Sequence, residues 1–236
     1  MAYLLGEKVE DVMCNTTKGV TGLYDYIGDS WCCLFSHPGD YTPVGTTELG
    51  EMARLAPQFD SRGTKVIALS CDHLANHQGW IQDVKAATGF DVNFPIIADP
   101  GRDTAAQLKM IKMEHRGADT RGLPRTVRAV LIIGPDKKVK ASMQYPLSVG
   151  VNFFEILRLL DALQVSSAES VHTPVNWVKS QDVIVSPDMP TDAALEKPTF
   201  QQGLRIIDLP SRKEYLRITP DPTTAADEEE EAAAEA

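Results

Sequence analysis

The sequence predicts an α/β protein, a sheet covered by helices, followed by a small second domain. Two patterns indicate this. Short apolar runs alternate with segments of helical periodicity along the first two thirds of the chain. After about residue 167 the composition shifts towards proline and polar residues. We therefore expect a first domain over residues 1–165, a second over 166–224 and an acidic tail over 225–236.

Four segments are predicted as strands of the first domain. The apolar runs 30–35, 65–71 and 127–133 are typical of buried strands. Residues 134–138, Gly-Pro-Asp-Lys-Lys, predict a turn, and 139–144 then form the strand that returns antiparallel to its neighbour.

Helical periodicity covers residues 46–58, 74–87 and 104–111. The first of these helices can be capped by Thr46 or Thr47, whose hydroxyls can accept a first-turn N–H. Its early acidic residues suit the positive end of the helix dipole.

A fourth helix begins after Asn152, which can cap it, with Glu155 closing a capping box. Its apolar stripe consists of Phe153, Ile156, Leu157, Leu160 and Leu163. In the second domain, residues 182–185 and 214–218 are strand candidates.

Composition excludes several function classes. The 236 residues carry a net charge of −10, which argues against a nucleic-acid partner because such proteins usually present a basic patch. No run of 18 apolar residues is present, so no transmembrane segment is expected. The N-terminus shows no targeting pattern, and the four cysteines do not form a secreted disulfide framework. We expect a reduced, cytoplasmic protein without a cofactor.

Several motifs in the first domain resemble one family. Residues 38–48 read Pro-Gly-Asp-Tyr-Thr-Pro-Val-Gly-Thr-Thr-Glu, preceded by Phe-Ser-His at 35–37. Leu-Pro at 123–124, then Thr126 and Arg128, and the turn at 134–138 follow in order. Together they are similar to the peroxiredoxins, whose active-site pattern is Pro-x-x-(Phe/Tyr)-Thr-x-x-Cys. The segments 173–177 and 213–217 resemble the extra C-terminal domain of the one-cysteine subfamily.

The resemblance covers about residues 3–220 and implies a thioredoxin-like fold, with a central mixed sheet flanked by helices and a small C-terminal peroxiredoxin domain. It also implies a homodimer. By the same resemblance, His37, Thr42 and Arg128 match the peroxide pocket, Thr42 as a hydrogen-bond donor to peroxide and Arg128 as the thiolate-stabilising arginine.

Two positions depart from the family pattern. Gly45 occupies the place of the peroxide-attacking cysteine, and glycine has no nucleophile. Val151 occupies the place of a second arginine, in Gly-Val-Asn rather than Gly-Arg-Asn. Two losses in one pocket favour a natural pseudoenzyme over a single engineered change.

The remaining cysteines are weak substitutes for the lost one. Cys32 and Cys33 lie in a predicted strand, so their side chains point to opposite faces, and buried small hydrophobes are the favoured interpretation. Cys71 ends the next strand, where sites tend to gather, and is a minor candidate for redox reactivity. No cysteine follows residue 71, so a two-cysteine cycle is excluded.

The subfamily also resembles lipid hydrolases, and this chain retains only part of that pattern. Ser30 is present in Gly-Asp-Ser-Trp-Cys, and Asp136 matches the family aspartate. Tyr24 replaces the histidine, and a tyrosine near its normal pKa is a poor base. The favoured interpretation is that Ser30 simply begins a strand.

His73 and His77 have the i, i+4 spacing of metal ligands on a helix. No third ligand of comparable spacing is evident, so we expect surface histidines and no metal site.

Two functions remain open. The chain is either a catalytically silent peroxiredoxin used as a binding or structural subunit, within a dimer or a larger assembly, or a one-cysteine peroxidase in which Gly45 is a variant substitution. The acidic tail is equally well explained as a docking segment and as a solubilising terminus.

Overall fold

The computed structural model describes residues 3–116, 126–201 and 203–224. Contacts divide the chain into two compact units, with the division after Phe153. The sequence-based boundary after residue 165 would instead leave most of the long helix in the first domain.

The first unit contains seven described strands and four α-helices. Their bounds are β1 Met13–Thr16, β2 Gly19–Gly22, α1 Leu23–Ile27, β3 Trp31–Ser36, α2 Pro43–Asp60, β4 Thr64–Ser70, α3 Leu74–Thr88, β5 Ile96–Ala98, α4 Asp103–Gln107, β6 Arg128–Ile133 and β7 Val139–Tyr145. A short 3-10 helix covers Met113–His115. The strand predictions for β3, β4, β6 and β7 are confirmed to within two residues at each end.

The strands of the first unit form one mixed sheet in the order β2-β1-β5-β4-β3-β6-β7. The three central strands β5, β4 and β3 are parallel, and β6 and β7 continue antiparallel beside β3. Central parallel strands must be covered on both faces, which explains why they are almost continuously apolar. The α/β prediction, with a central mixed sheet, is confirmed.

Helix α2 begins three residues earlier than predicted. Thr42 is the N-cap residue and Pro43 the first helical residue, so the predicted cap at Thr46 or Thr47 is wrong. Proline favours this first position because its fixed φ suits the helix and its missing N–H is not needed there. Helix α2 packs against β4 and α3. Its buried stripe consists of Gly45, Glu48, Leu49, Gly50, Met52, Leu55 and Phe59.

Helix α4 is shorter than the predicted helix 104–111. It ends at Gln107, and Lys109 has a left-handed φ of 55° that interrupts the helix. The buried residues of this segment join a core cluster with side chains from β1, α1, β3, β4 and β6.

The second unit contains α5 Phe153–Glu169, β8 Val171–His172, β9 Val183–Val185, α6 Thr191–Glu196, β10 Arg205–Ile206 and β11 Arg217–Thr219. The long helix was predicted correctly from its apolar stripe. The four strands of this unit form a second sheet in the order β10-β11-β9-β8. Their core includes Trp177, Val183, Val185 and Phe200. The predicted strand 214–218 overlaps only the first part of β11.

Along the described ranges, no helix is long and apolar enough to cross a lipid bilayer. The acidic tail, 225–236, and the motif residues Leu123 and Pro124 lie outside the described residues.

Candidate functional site

The site is built around the first turn of α2. Gly45 is the third residue of this helix and is buried. Backbone N–H groups of a first turn have no intrahelical acceptor, and they lie at the positive end of the helix dipole. Position 45 therefore retains the electrostatic setting that favours an anion, but it carries no side chain that could become one.

The space beside Gly45 is already filled. A Cβ atom added there would lie 2.6 Å from Thr42 Oγ1 and 3.3 Å from Trp80 Cη2. The Thr42 hydroxyl donates a hydrogen bond to the Gly39 carbonyl at 2.8 Å. The Trp80 ring is held in place because its Nε1–H donates to Thr46 Oγ1 at 3.1 Å. A cysteine at position 45 would require Thr42 to move.

Arg128 is buried and held by Glu48. Its side chain is 2% exposed, and its Nε lies 2.8 Å from Glu48 Oε1 and 2.9 Å from Oε2. Its Nη1 donates to the carbonyls of Pro146 and Leu147 at 3.1 and 2.6 Å. The guanidinium thus lies next to α2 but directs these donors to the protein itself.

Val151 lies against the same carboxylate. Its backbone N–H donates to Glu48 Oε1 at 2.9 Å. A Cβ at the preceding Gly150 would lie 3.5 Å from Val44 Cγ1, so this loop contacts the first turn of α2. Position 151 is therefore close to the site, where valine contributes no charge.

His37 belongs to a buried cluster with Asp40 and His77. His37 Nε2 lies 2.9 Å from Asp40 Oδ1, and His77 Nδ1 lies 2.6 Å from Asp40 Oδ2. The His37 ring also packs on Trp80, with ring centroids 5.0 Å apart. Burial raises the pKa of Asp40, but the hydrogen bonds from both histidines outweigh it and hold the pKa below its usual value.

The prediction that His77 is a surface residue is wrong, since its side chain is fully buried. His73, one turn earlier, is exposed as expected. The sequence did contain a signal for His77. It shares the inward stripe of α3 with Trp80 and Val84, at i, i+3 and i+7.

Comparison with known proteins identifies the family. The AhpC/TSA family model matches residues 5–142. The 1-Cys peroxiredoxin of Medicago truncatula is 46% identical over 217 residues, covering 91% of this chain and 97% of its own. Peroxiredoxin-6 of Gallus gallus is 46% identical over 223 residues, covering 93% and 98%. The chain belongs to the 1-Cys peroxiredoxins.

A solved structure agrees with this assignment. A cysteine-to-serine mutant of peroxiredoxin 6 of Arenicola marina is 42% identical and superimposes with a TM-score of 0.86, covering 94% of this chain and all of the other. The thioredoxin-like fold expected from the motifs is thereby confirmed.

None of this peroxiredoxin's four thiols is poised for ionisation. Burial raises the pKa of Cys14 and of Cys33 to about 12, and that of Cys32 well above its ordinary value. Cys71 is half-buried, and burial followed by the nearby Asp99 charge raises its pKa to about 11. At pH 7 a thiol with that pKa is ionised in roughly one molecule in ten thousand. The thiolate is the nucleophilic form, so the raised pKa values make these four thiols weak nucleophiles at neutral pH.

The side chains of Tyr24 and Asp136 are engaged in hydrogen bonds away from Ser30. The Tyr24 hydroxyl donates to the Val9 carbonyl at 2.5 Å, and burial raises its pKa. Asp136 accepts a hydrogen bond from Lys140 Nζ at 2.8 Å. The Ser30 N–H donates to the Ile27 carbonyl at 3.2 Å, in the turn that precedes β3. These bonds favour structural roles for Tyr24 and Asp136, and they place Ser30 in the turn before β3, as the sequence predicts.

Sequence reasoning missed three residues of this site, which are Asp40, Glu48 and Trp80. Glu48 is one of the acidic residues expected near the start of the helix, but α2 begins at Pro43 and Glu48 lies beyond its first turn. Its place among the apolar stripe of α2 was the signal that it needs a buried partner.

Proposed function

We propose that this peroxiredoxin lacks peroxidase activity and acts as a binding or structural subunit. The observation that carries the proposal is Gly45, which lies at the positive end of α2 without a thiol. A thiol peroxidase needs a thiolate at neutral pH to attack the peroxide oxygen. No other thiol of the chain supplies one, because burial raises the pKa of all four.

Two further observations support the proposal. Thr42 and Trp80 occupy the volume that a side chain at position 45 would need. Val151 contributes only its backbone N–H to Glu48, where the family pattern has an arginine. The pocket therefore departs from the family pattern at two neighbouring positions, 45 and 151, and the space beside position 45 is filled by its neighbours.

The alternative is a one-cysteine thiol peroxidase that reduces hydrogen peroxide and organic hydroperoxides as an antioxidant, with Gly45 a single variant substitution. One observation favours it. Arg128 remains buried beside α2, and its ion pair with Glu48 preserves an electrostatic frame suited to a thiolate.

Peroxide consumption with excess dithiol tests both functions. The protein with Gly45 should consume no peroxide above the reductant background. Gly45→Cys alone should remain slow, since the new Cβ must displace Thr42 and a pocket arginine is missing. Gly45→Cys with Val151→Arg should be faster than Gly45→Cys. Fast turnover by Gly45→Cys alone would support the peroxidase alternative and overturn the first proposal.

We also propose a homodimer in the cytoplasm. An outer strand supports the dimer, since β7 ends the seven-stranded sheet and leaves backbone groups for a second chain to pair with. Four free cysteines support a reducing compartment. Sedimentation equilibrium at several concentrations tests the dimer. A mass of 25.9 kDa throughout would contradict it.

A further inference from the structure

The strongest unassigned feature is the buried cluster of His37, Asp40 and His77. His37 and Asp40 lie in the loop that joins β3 to α2, and His77 projects from α3. The side chains of both histidines are fully buried and that of Asp40 is 1% exposed. Polar side chains so far from water need partners, so the protons between them define the chemistry.

An ionised carboxylate only accepts hydrogen bonds, so a proton must lie on each ring nitrogen that faces Asp40. His37 Nε2 and His77 Nδ1 are those nitrogens, at 2.9 and 2.6 Å. His37 Nδ1 is buried and has no hydrogen-bond partner among the described residues. The cluster thus joins one carboxylate to two ring nitrogens that each carry a proton.

We propose that these three side chains bind one divalent transition-metal ion of the zinc class. One ring nitrogen of each histidine and a carboxylate oxygen of Asp40 all lie within 4.8 Å of one another, and His37 Nε2 and His77 Nδ1 are the nitrogens that face Asp40. Bonds to zinc are about 2.0–2.2 Å long, which places the ligand atoms of a tetrahedral ion roughly 3.3–3.6 Å apart. The two nitrogen–oxygen distances, 2.9 and 2.6 Å, would have to lengthen by about 0.4–1.0 Å to reach this geometry.

The surroundings of His77 and the anchoring of the Asp40 loop suit metal ligation. When Nδ1 of His77 turns its lone pair to the ion, the ring proton moves to Nε2, which lies 3.3 Å from the Ile97 carbonyl. A metal-bound histidine commonly donates its other N–H to such a carbonyl. The loop is also fixed, because the Asp40 N–H donates to Asp72 Oδ2 at 2.9 Å and Ser70 Oγ donates to the same oxygen at 2.8 Å.

Two histidines and one carboxylate form a ligand set found in catalytic zinc sites, where a fourth position is left for water or substrate. Within the described part of the chain, the cluster has these three members only. The proposal does not depend on the loss of peroxidase activity, because none of its ligands is at position 45.

Metal titration of the tag-free protein, freed of metal by a chelator, tests the site. We expect one equivalent of Co²⁺ to bind with the visible bands of a four- or five-coordinate ion, without a thiolate charge-transfer band. Zn²⁺ should then displace it. His77→Gln and Asp40→Asn should each weaken binding more than about 100-fold, beyond the 10–100-fold loss typical of an outer partner.

His73→Gln is the matched control, since it removes an exposed histidine at the start of the same helix, and it should bind as the unmodified protein does. Failure of the unmodified protein to bind either ion saturably would overturn the proposal. So would unchanged affinity in His77→Gln, or a thiolate band, which would assign the ion to a cysteine.

Circular dichroism checks that the variants fold. If they do not, X-ray absorption of the unmodified zinc-loaded protein decides the question. A first shell of only nitrogen and oxygen with two imidazoles supports the site. Sulfur ligands, or fewer than two imidazoles, would overturn it.

Discussion

Replacing Glu48 by glutamine should destabilise the fold strongly. The side chains of Glu48 and Arg128 are 3% and 2% exposed, and they meet at 2.8 Å. Glutamine keeps the shape of the side chain but leaves the guanidinium as an uncompensated buried charge. Breaking such a pair from one side costs about 3–5 kcal/mol. Since the glutamine amide oxygen can still accept one hydrogen bond from Arg128, we expect the free energy of unfolding to fall by about 3 kcal/mol, at the lower end of this range.

Urea unfolding followed by circular dichroism measures the effect. With a denaturant slope of about 3 kcal/mol per molar, a loss of about 3 kcal/mol lowers the midpoint by about 1 M. Glu51→Gln is the matched control because it removes an exposed carboxylate from the same helix. Glu51 and Arg54 are 36% and 38% exposed, so their pair should contribute less than about 1 kcal/mol.

Equal midpoints for Glu48→Gln and Glu51→Gln would refute the reasoning. A second variant separates charge from packing. Glu48→Leu combined with Arg128→Met removes both charges, and it should recover much of the stability lost in Glu48→Gln, because apolar replacements of buried pairs are often neutral.

Three other outcomes are expected. In a double-mutant cycle measured by urea unfolding, the effects of Gly45→Ala and Thr42→Ala on the free energy of unfolding should couple by about 1–2 kcal/mol. The reason is that removal of Thr42 Oγ1 relieves the 2.6 Å contact that the new Cβ makes. Additive effects of the two substitutions would contradict this. The lowered pKa of Asp40 stabilises the fold above the ordinary aspartate value of about 3.9, and this contribution disappears as pH falls through the folded-state value. Asp40→Asn should therefore be less stable at neutral pH, and its melting temperature should fall less steeply as the pH is lowered into the acid range. Thermal melts at several pH values that show the same acid dependence for both proteins would contradict this. With a pKa of about 11, Cys71 should be the first thiol of the native protein to react with a disulfide reagent. The rate of this first reaction should rise about tenfold per pH unit between pH 7 and 9. Cys71→Ser should abolish this first kinetic phase.

The longer helices and strands could be predicted because each contains enough apolar residues to show a helical or strand repeat. The strands that the sequence did not reveal are short. Strand β5 spans only Ile96–Ala98, and β1 and β2 span four residues each. Such segments become strands through their neighbours: β5 pairs with β4, and β1 joins it at Thr16.

The family motifs indicated single positions of the site, but not which of those side chains pair with one another. Gly45 and Thr42 were located by the spacing of a single motif. Glu48 and Arg128 are 80 residues apart in sequence, and Asp40 and His77 are 37 apart. No local period encodes such pairs. What the sequence does contain is a polar residue in an apolar stripe, and both Glu48 and His77 show that pattern.

Burial alone can hold the polar side chains of this site in place without a thiol at position 45. Glu48 and Arg128 must stay paired because a lone buried charge costs more than the pair contributes. The histidine cluster must likewise keep Asp40, since each ring proton needs an acceptor. Stability is therefore a sufficient reason to retain these polar groups, whether or not peroxide is reduced. Retention of His37 and Arg128 is thus weak support for activity, and the side chain at position 45 decides the question.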